Sequence, residues 1–132
     1  MRYLIFVLIG LTLGCNVSAG LKCLPSEQQS VSEHLYFGRE KPDGAVSESD
    51  WLKFLDEVVT PEFPDGLTVI EAYGRWSPDG VQIISEDTYI LNIIHSDSMA
   101  NRTSIEKIKG EYISRFQQKS VLRIRNEVCA TF

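Results

Sequence analysis

The chain has 132 residues, of which 43% are hydrophobic, and a formal net charge of −5. That length supports one hydrophobic core and therefore one domain. The acid excess, with no lysine or arginine cluster to offset it, repels nucleic-acid phosphates and anionic membrane surfaces, which argues against nucleic acid as a partner.

Arg2 is followed by an apolar run from Leu4 to Leu13 and then by small residues up to Gly20. This is the pattern of an export signal, and its apolar run has about half the roughly twenty residues that a spanning helix needs. Two modes of removal remain open. Val17-Ser18-Ala19 ahead of Gly20 suits a signal peptidase, giving a leader of residues 1–19 and a free periplasmic or secreted protein. Leu11-Thr12-Leu13-Gly14-Cys15 resembles a lipobox, which would make the leader 1–14 and turn Cys15 into the acylated first residue of a membrane-anchored lipoprotein. Thr12 stands where a lipobox usually carries leucine, so the soluble product is preferred, and membrane contact is expected only if Cys15 is lipidated. Either cut leaves Cys23 and Cys129, an even pair in an oxidising compartment, and these are expected to form a disulfide.

Residues 20–32 are polar and without periodicity, and are expected to form an N-terminal arm ahead of a single domain over 33–132. From His34, HLYFGRE reads as a first strand ended by Lys41-Pro42-Asp43-Gly44. Ser47 is placed to cap a helix with Asp50 three residues on, and Trp51, Phe54, Leu55, Val58 and Val59 recur at helical spacing. Thr60, ahead of Pro61, is expected to end that helix. Residues 67–76 alternate as a second strand, Ser77-Pro78-Asp79-Gly80 makes a hairpin turn, and residues 81–95 form a third strand that is apolar on both faces. Thr103 with Glu106 caps a second helix carrying Ile105, Ile108, Tyr112 and Phe116, and residues 121–129 close the chain as a fourth strand. The order βαββαβ predicts an α+β fold, a ferredoxin-like two-layer sandwich with an antiparallel sheet in the order 4-1-3-2. In that arrangement Cys129 at the end of the last strand comes close to Cys23 ahead of the first.

The tripeptide Pro-Asp-Gly occurs at Pro42, Pro64 and Pro78, each time at a joint, which reads as turn chemistry. Against that, Asp65 in the second copy is a candidate ligand contact with Phe63 and Thr68 beside it. Tyr36 and Trp76 are further ligand-binding candidates, although a small two-layer domain needs most of its rings for the core. His95, next to Asp97, is a candidate general base, and Glu86 a candidate acid or base. Two histidines about sixty residues apart without CxxC, HxxxH or HExxH spacing give no metal site. No cofactor motif is present.

LYFG at 35–38, the tryptophan-bearing first helix, TPEFPDGLT at 60–68 followed by Gly74-x-Trp76, Glu86, and Phe116-x-Gln118-x-Ser120-Val121-Leu122 occur in an order that resembles a family of small exported bacterial proteins of unknown function, over residues 34–132. The resemblance implies a bacterial envelope location and the cysteine near the C-terminus, and no assigned chemistry. Two functions follow from the residues. One is a non-enzymatic envelope module that binds an unidentified protein or small ligand and pairs with a second copy through its open sheet face. The alternative is a small enzyme of the dimeric α+β barrel type, in which Tyr36, Trp76, Glu86 and His95 converge.

Overall fold

The first strand begins six residues before His34. In the computed structural model, which describes residues 20–132, β1 runs Gln28–Gly38 and pairs antiparallel on both sides. The expected leader, its two cleavage readings and Cys15 lie outside the described residues. The start of β1 escapes a reading by alternation because its inward positions carry Val31 and then a charged Glu33 instead of a second apolar residue, while Gln28, Ser30 and Ser32 face outward. Two long ladders decide the conformation: Gln28 to Tyr36 face Ala130 to Leu122, and Val31 to Gly38 face His95 to Thr88.

After β1, Glu40–Lys41 (β2) and Gly44–Ala45 (β3) form a small hairpin around Pro42-Asp43. Helix α1 (Glu48–Phe54) starts as expected: Ser47 Oγ accepts from the Asp50 amide at 3.1 Å and donates to the Asp50 carboxylate at 2.8 Å. It does not stop at Thr60. A widened π turn over Leu55–Val59 carries it into a last turn, α2 (Thr60–Glu62), with Pro61 near that turn's start. A wide turn moves the carbonyl four residues back away from the proline ring, which removes the clash expected to end the helix. Strand β4 (Thr68–Trp76) follows, then β5 (Ile84–His95), shorter at its start than the expected 81–95. Asp79 Oδ1 accepts from the amides of Val81 and Gln82 at 2.9 and 2.8 Å, which keeps that segment in the turn.

The second long helix, α3 (Met99–Phe116), is capped by Ser98, whose Oγ accepts from the Asn101 amide at 3.1 Å. Thr103, the expected cap, lies inside the helix and donates back to the Met99 carbonyl. Strand β6 (Leu122–Ala130) closes the chain. The protein is thus mixed α+β with a four-stranded antiparallel sheet, its strands side by side as β4-β5-β1-β6. All three Pro-Asp-Gly glycines have positive φ, 129° at Gly44, 130° at Gly66 and 75° at Gly80, a region closed to most side chains, which is why the motif sits at joints.

Odd-numbered residues of β1 and β5 face the helices. Leu35, Phe37, Tyr89, Leu91 and Ile93 pack there against Trp51, Phe54, Ile105, Ile108, Tyr112 and Phe116, all buried. Trp51 stacks on Tyr89 with ring centroids 4.3 Å apart, and Tyr112 meets Phe37 edge-on at 4.7 Å. Cys23 is bonded to Cys129, a pair 106 residues apart in sequence. The bond ties the segment ahead of β1 to the edge strand, where Cys129 faces Gln29. Closing a loop of that size stabilises a fold by about 4–5 kcal/mol on the chain-entropy model.

Glu33 is the one fully buried carboxylate in this layer. Arg123 meets it with both arms, Nε donating at 2.8 Å and Nη2 at 2.5 Å, while Arg125 Nε stands 3.9 Å away. Arg123 Nη1 also donates to Glu106 on α3 at 2.9 Å, so one guanidinium joins the central strand, the edge strand and the helix. Because Arg123 keeps Glu106 as a partner and loses only the acceptor of its other two donors, Glu33→Ala is expected to cost about 1–3 kcal/mol, read as a lowered midpoint in urea unfolding with the slope unchanged.

Candidate active site

Where β1 ends, three separated stretches of chain meet. Tyr36 and Gly38 from β1, Glu86 and Thr88 from β5, and Gln117 to Ser120 from the turn after α3 line a cleft of about 560 Å³, with Glu40, Lys41 and Pro42 of the hairpin forming its lip. Tyr36, Gly38, Glu86, Gln118, Ser120 and Leu122 belong to the blocks that carry the family resemblance, and all six line this one space.

Each wall has a local cause. Helix α3 ends with Gln117 in the left-handed conformation at φ 54°, a position glycine usually takes, and the Gln118 amide reaches back to the Ile113 carbonyl at 3.1 Å. Held that way, Gln118 Nε2 donates to the Glu40 carbonyl at 2.7 Å and pins the hairpin over the cleft. Tyr112 donates its hydroxyl to the Gly38 carbonyl at 3.0 Å from the core side. Burial, above all, pushes the Tyr112 hydroxyl well above the usual phenol range, so it stays a donor at any working pH.

Glu86 is half-buried and folds back over Gly38. A methyl group on Gly38 would overlap Glu86 Oε1, so the missing side chain is what lets the carboxylate lie there. Among the described residues Glu86 has no hydrogen-bond or ion-pair partner, unlike Glu33, Glu62, Asp97 and Glu106. A partly desolvated carboxylate left uncommitted in a cleft is available to a cation or a transferable proton.

His95 sits elsewhere. It is nine residues along β5 from Glu86, about 30 Å at strand rise, and on the opposite face. The convergence of Tyr36, Trp76, Glu86 and His95 expected for an enzyme does not occur. Tyr36 and Glu86 share the cleft, while Trp76 stands half-exposed beside Arg75 and Ile83. Asp97 does not orient His95 either. His95 Nδ1 lies 2.7 Å from the Ser96 carbonyl, its Nε2 is 3.8 Å from Glu33 without a hydrogen bond, and Phe63 packs on the ring at 5.4 Å. Asp97 is held instead by Arg102 at 2.7 and 2.8 Å and by Arg125 at 2.8 Å. Asp65 and Thr68 line a second cleft of about 630 Å³ at the far end of the sheet, near Asn92 and His95, and Asp65 is exposed. Phe63 is core, buried under His95.

The residues that sequence reasoning missed are Glu33 and the walls Glu40, Lys41 and Gln117. Arg123 and Arg125, alternating on an edge strand, were a readable sign that an acid lies opposite, and Glu33 does pair across from Arg125.

A family model described as a protein of unknown function (DUF3574) matches residues 32–132. The chain belongs to the DUF3574 family. No curated protein matches it. Two solved structures share its fold: a phage SAM lyase in complex with S-methyl-5'-thioadenosine and a phage SAM lyase in the apo state, each 16% identical with a TM-score of 0.54. The first alignment covers 87% of this chain and 97% of that one, the second 85% and 95%. The fold of this DUF3574 chain is thus one on which an enzyme is built, and the expectation of a non-enzymatic binding module is corrected.

Hydrogen bonds from Arg102, then from Arg125, hold the Asp97 carboxyl down from its ordinary 3.8 to about 2. A depressed carboxylate contributes stability above its unfolded value, and the contribution is lost as pH falls through the folded one. Melting temperature should therefore decline more steeply from about pH 4 to pH 2 in the native protein than in Asp97→Asn, measured by circular dichroism across that window.

Proposed function

We propose that this DUF3574 protein is a small exported enzyme whose reaction takes place in the Glu86 cleft, with Glu86 as acid/base and charge partner for a small cationic substrate. The observation that carries this reading is the uncommitted, half-buried carboxylate resting on Gly38, where three blocks of the sequence meet. Export is supported by the Cys23–Cys129 bond, since such bonds persist in oxidising compartments. The ferredoxin-like description is supported by the strand arrangement. Counting only the four long strands in chain order, β4-β5-β1-β6 reads 2-3-1-4.

The fold shared with a SAM lyase suggests the substrate class to try first, a nucleoside sulfonium. Such a molecule carries a positive sulfur that Glu86 can face from the cleft wall, and a base and ribose that can lie along the Tyr36 ring. Cleavage would break a carbon–sulfur bond with its electron pair going to sulfur, which leaves as a neutral thioether. Glu86 would take a proton from the carbon next to the one leaving sulfur, and that C–H electron pair would become the carbon–carbon double bond of the departing chain. Glu40 and Thr88 supply further acceptors at the rim.

Purified protein incubated with S-adenosylmethionine should release S-methyl-5'-thioadenosine. Glu86→Gln should slow this by about 10²-fold or more, the usual worth of a positioned acid/base group. Gly38→Ala should slow it comparably by evicting the carboxylate, while changing stability by no more than about 1 kcal/mol. An inactive wild type, or turnover that survives both substitutions, overturns the reading.

A further inference from the structure

The sheet face turned away from the helices is built from the even-numbered positions of all four long strands. Its large apolar side chains are solvent-exposed: Ile70 at 42%, Ile94 at 40%, Leu122 at 58% and Ile124 at 40%, with Trp76 at 52% at one corner. These span the sheet from one edge strand to the other, whereas Arg75, Arg123 and Arg125 point to the helix side. Among the even positions of these strands the only charge-bearing types are His34 and Glu86, and there is no lysine or arginine.

We propose that this face is covered by a second copy of the same chain. The composition selects the occupant. Nucleic acid and anionic lipid both require a cluster of cations on the receiving surface, and the strand positions of this face carry no lysine or arginine. A sheet face of exposed apolar side chains among mostly uncharged polar ones is matched by one of the same composition, and a twofold axis supplies it without a second gene product. The dimensions agree. Four strands of about nine residues present about 600 Å² in projection, and side-chain relief raises this toward the roughly 800 Å² per partner that a stable interface buries.

The pairing also bears on the cleft, an extension that rests on the function proposed above. Tyr36, Glu86, Thr88 and Leu122 belong both to the open face and to the cleft lining. A second sheet laid on that face would turn an open groove into a roofed site and exclude water from around Glu86.

Sedimentation velocity on the disulfide-bonded protein at high micromolar concentration tests the proposal without any substrate. The wild type should sediment as a dimer. Ile70→Lys and Ile124→Lys, on opposite edge strands and both facing outward, should each shift it to monomer with an unchanged circular dichroism spectrum. Leu52→Lys, at an exposed apolar position of α1 on the helix layer, should leave the dimer intact. A monomeric wild type overturns the proposal whether or not the lysine variants fold, and so does a dimer that persists in both of them. A dimer with no turnover would overturn the catalytic reading alone, and turnover by a strict monomer would overturn the pairing alone.

Discussion

The structure depends on β1, one of the two strands with neighbours on both sides. Its ladder with β6 sets where Cys129 lies relative to the segment carrying Cys23, and its ladder with β5 sets the register that brings Gly38 opposite Thr88. Its inward residues are a charged clamp at one end and an aromatic core at the other: Glu33 beneath Arg123, then Leu35 and Phe37 under the helices. A slip of one residue would turn Ser32 and His34 toward the helices and expel Glu33, Leu35 and Phe37, so this register is strongly specified.

The same alternation produces the site. Because odd positions of β1 are committed to the core, Tyr36 and Gly38 must face the other way, toward Glu86 on the neighbouring strand. One absent side chain then decides where the Glu86 carboxylate lies. With Gly38 the carboxylate lies against the backbone in a half-buried groove, and with any other residue it would be pushed toward solvent and screened. The cap after α3 closes the groove through Gln118, whose side chain ties the β2–β3 hairpin to the helix end. The electrostatic contrast with the other end of the sheet is instructive. There Glu33, Asp97 and Glu106 are each paired with arginine, and a paired carboxylate is a structural element.

Much of the fold was legible because its signals are local. The Ser47–Asp50 box, the Pro-Asp-Gly joints, the aromatic stripe of α1 and the apolar residues of β5 and α3 each have short-range physics behind them. Part of what was not legible depended on partners distant in the chain, and part on local geometry that composition does not reveal. The start of β1 looked like a polar arm because its inward glutamate is neutralised by arginines about ninety residues away. The helix ran through Pro61 because a π turn gave the ring room, and the cap of α3 fell to Ser98 while Thr103 offered the stronger-looking box. For the site, the family blocks named Tyr36, Gly38, Glu86 and Gln118 without placing them together. His95 beside Asp97 looked like an acid–base pair in sequence, yet in space each is held by something else.

The central claim is that the groove over Gly38, and not the cleft near Asp65 and His95, receives the substrate. Amide chemical shifts of isotope-labelled protein titrated with S-methyl-5'-thioadenosine test it most directly. The perturbed residues should cluster at Tyr36, Gly38, Glu86, Thr88 and Gln118 to Ser120. Perturbations gathered at Thr68, Asn92 and His95 with a silent Gly38, or none anywhere, would contradict it.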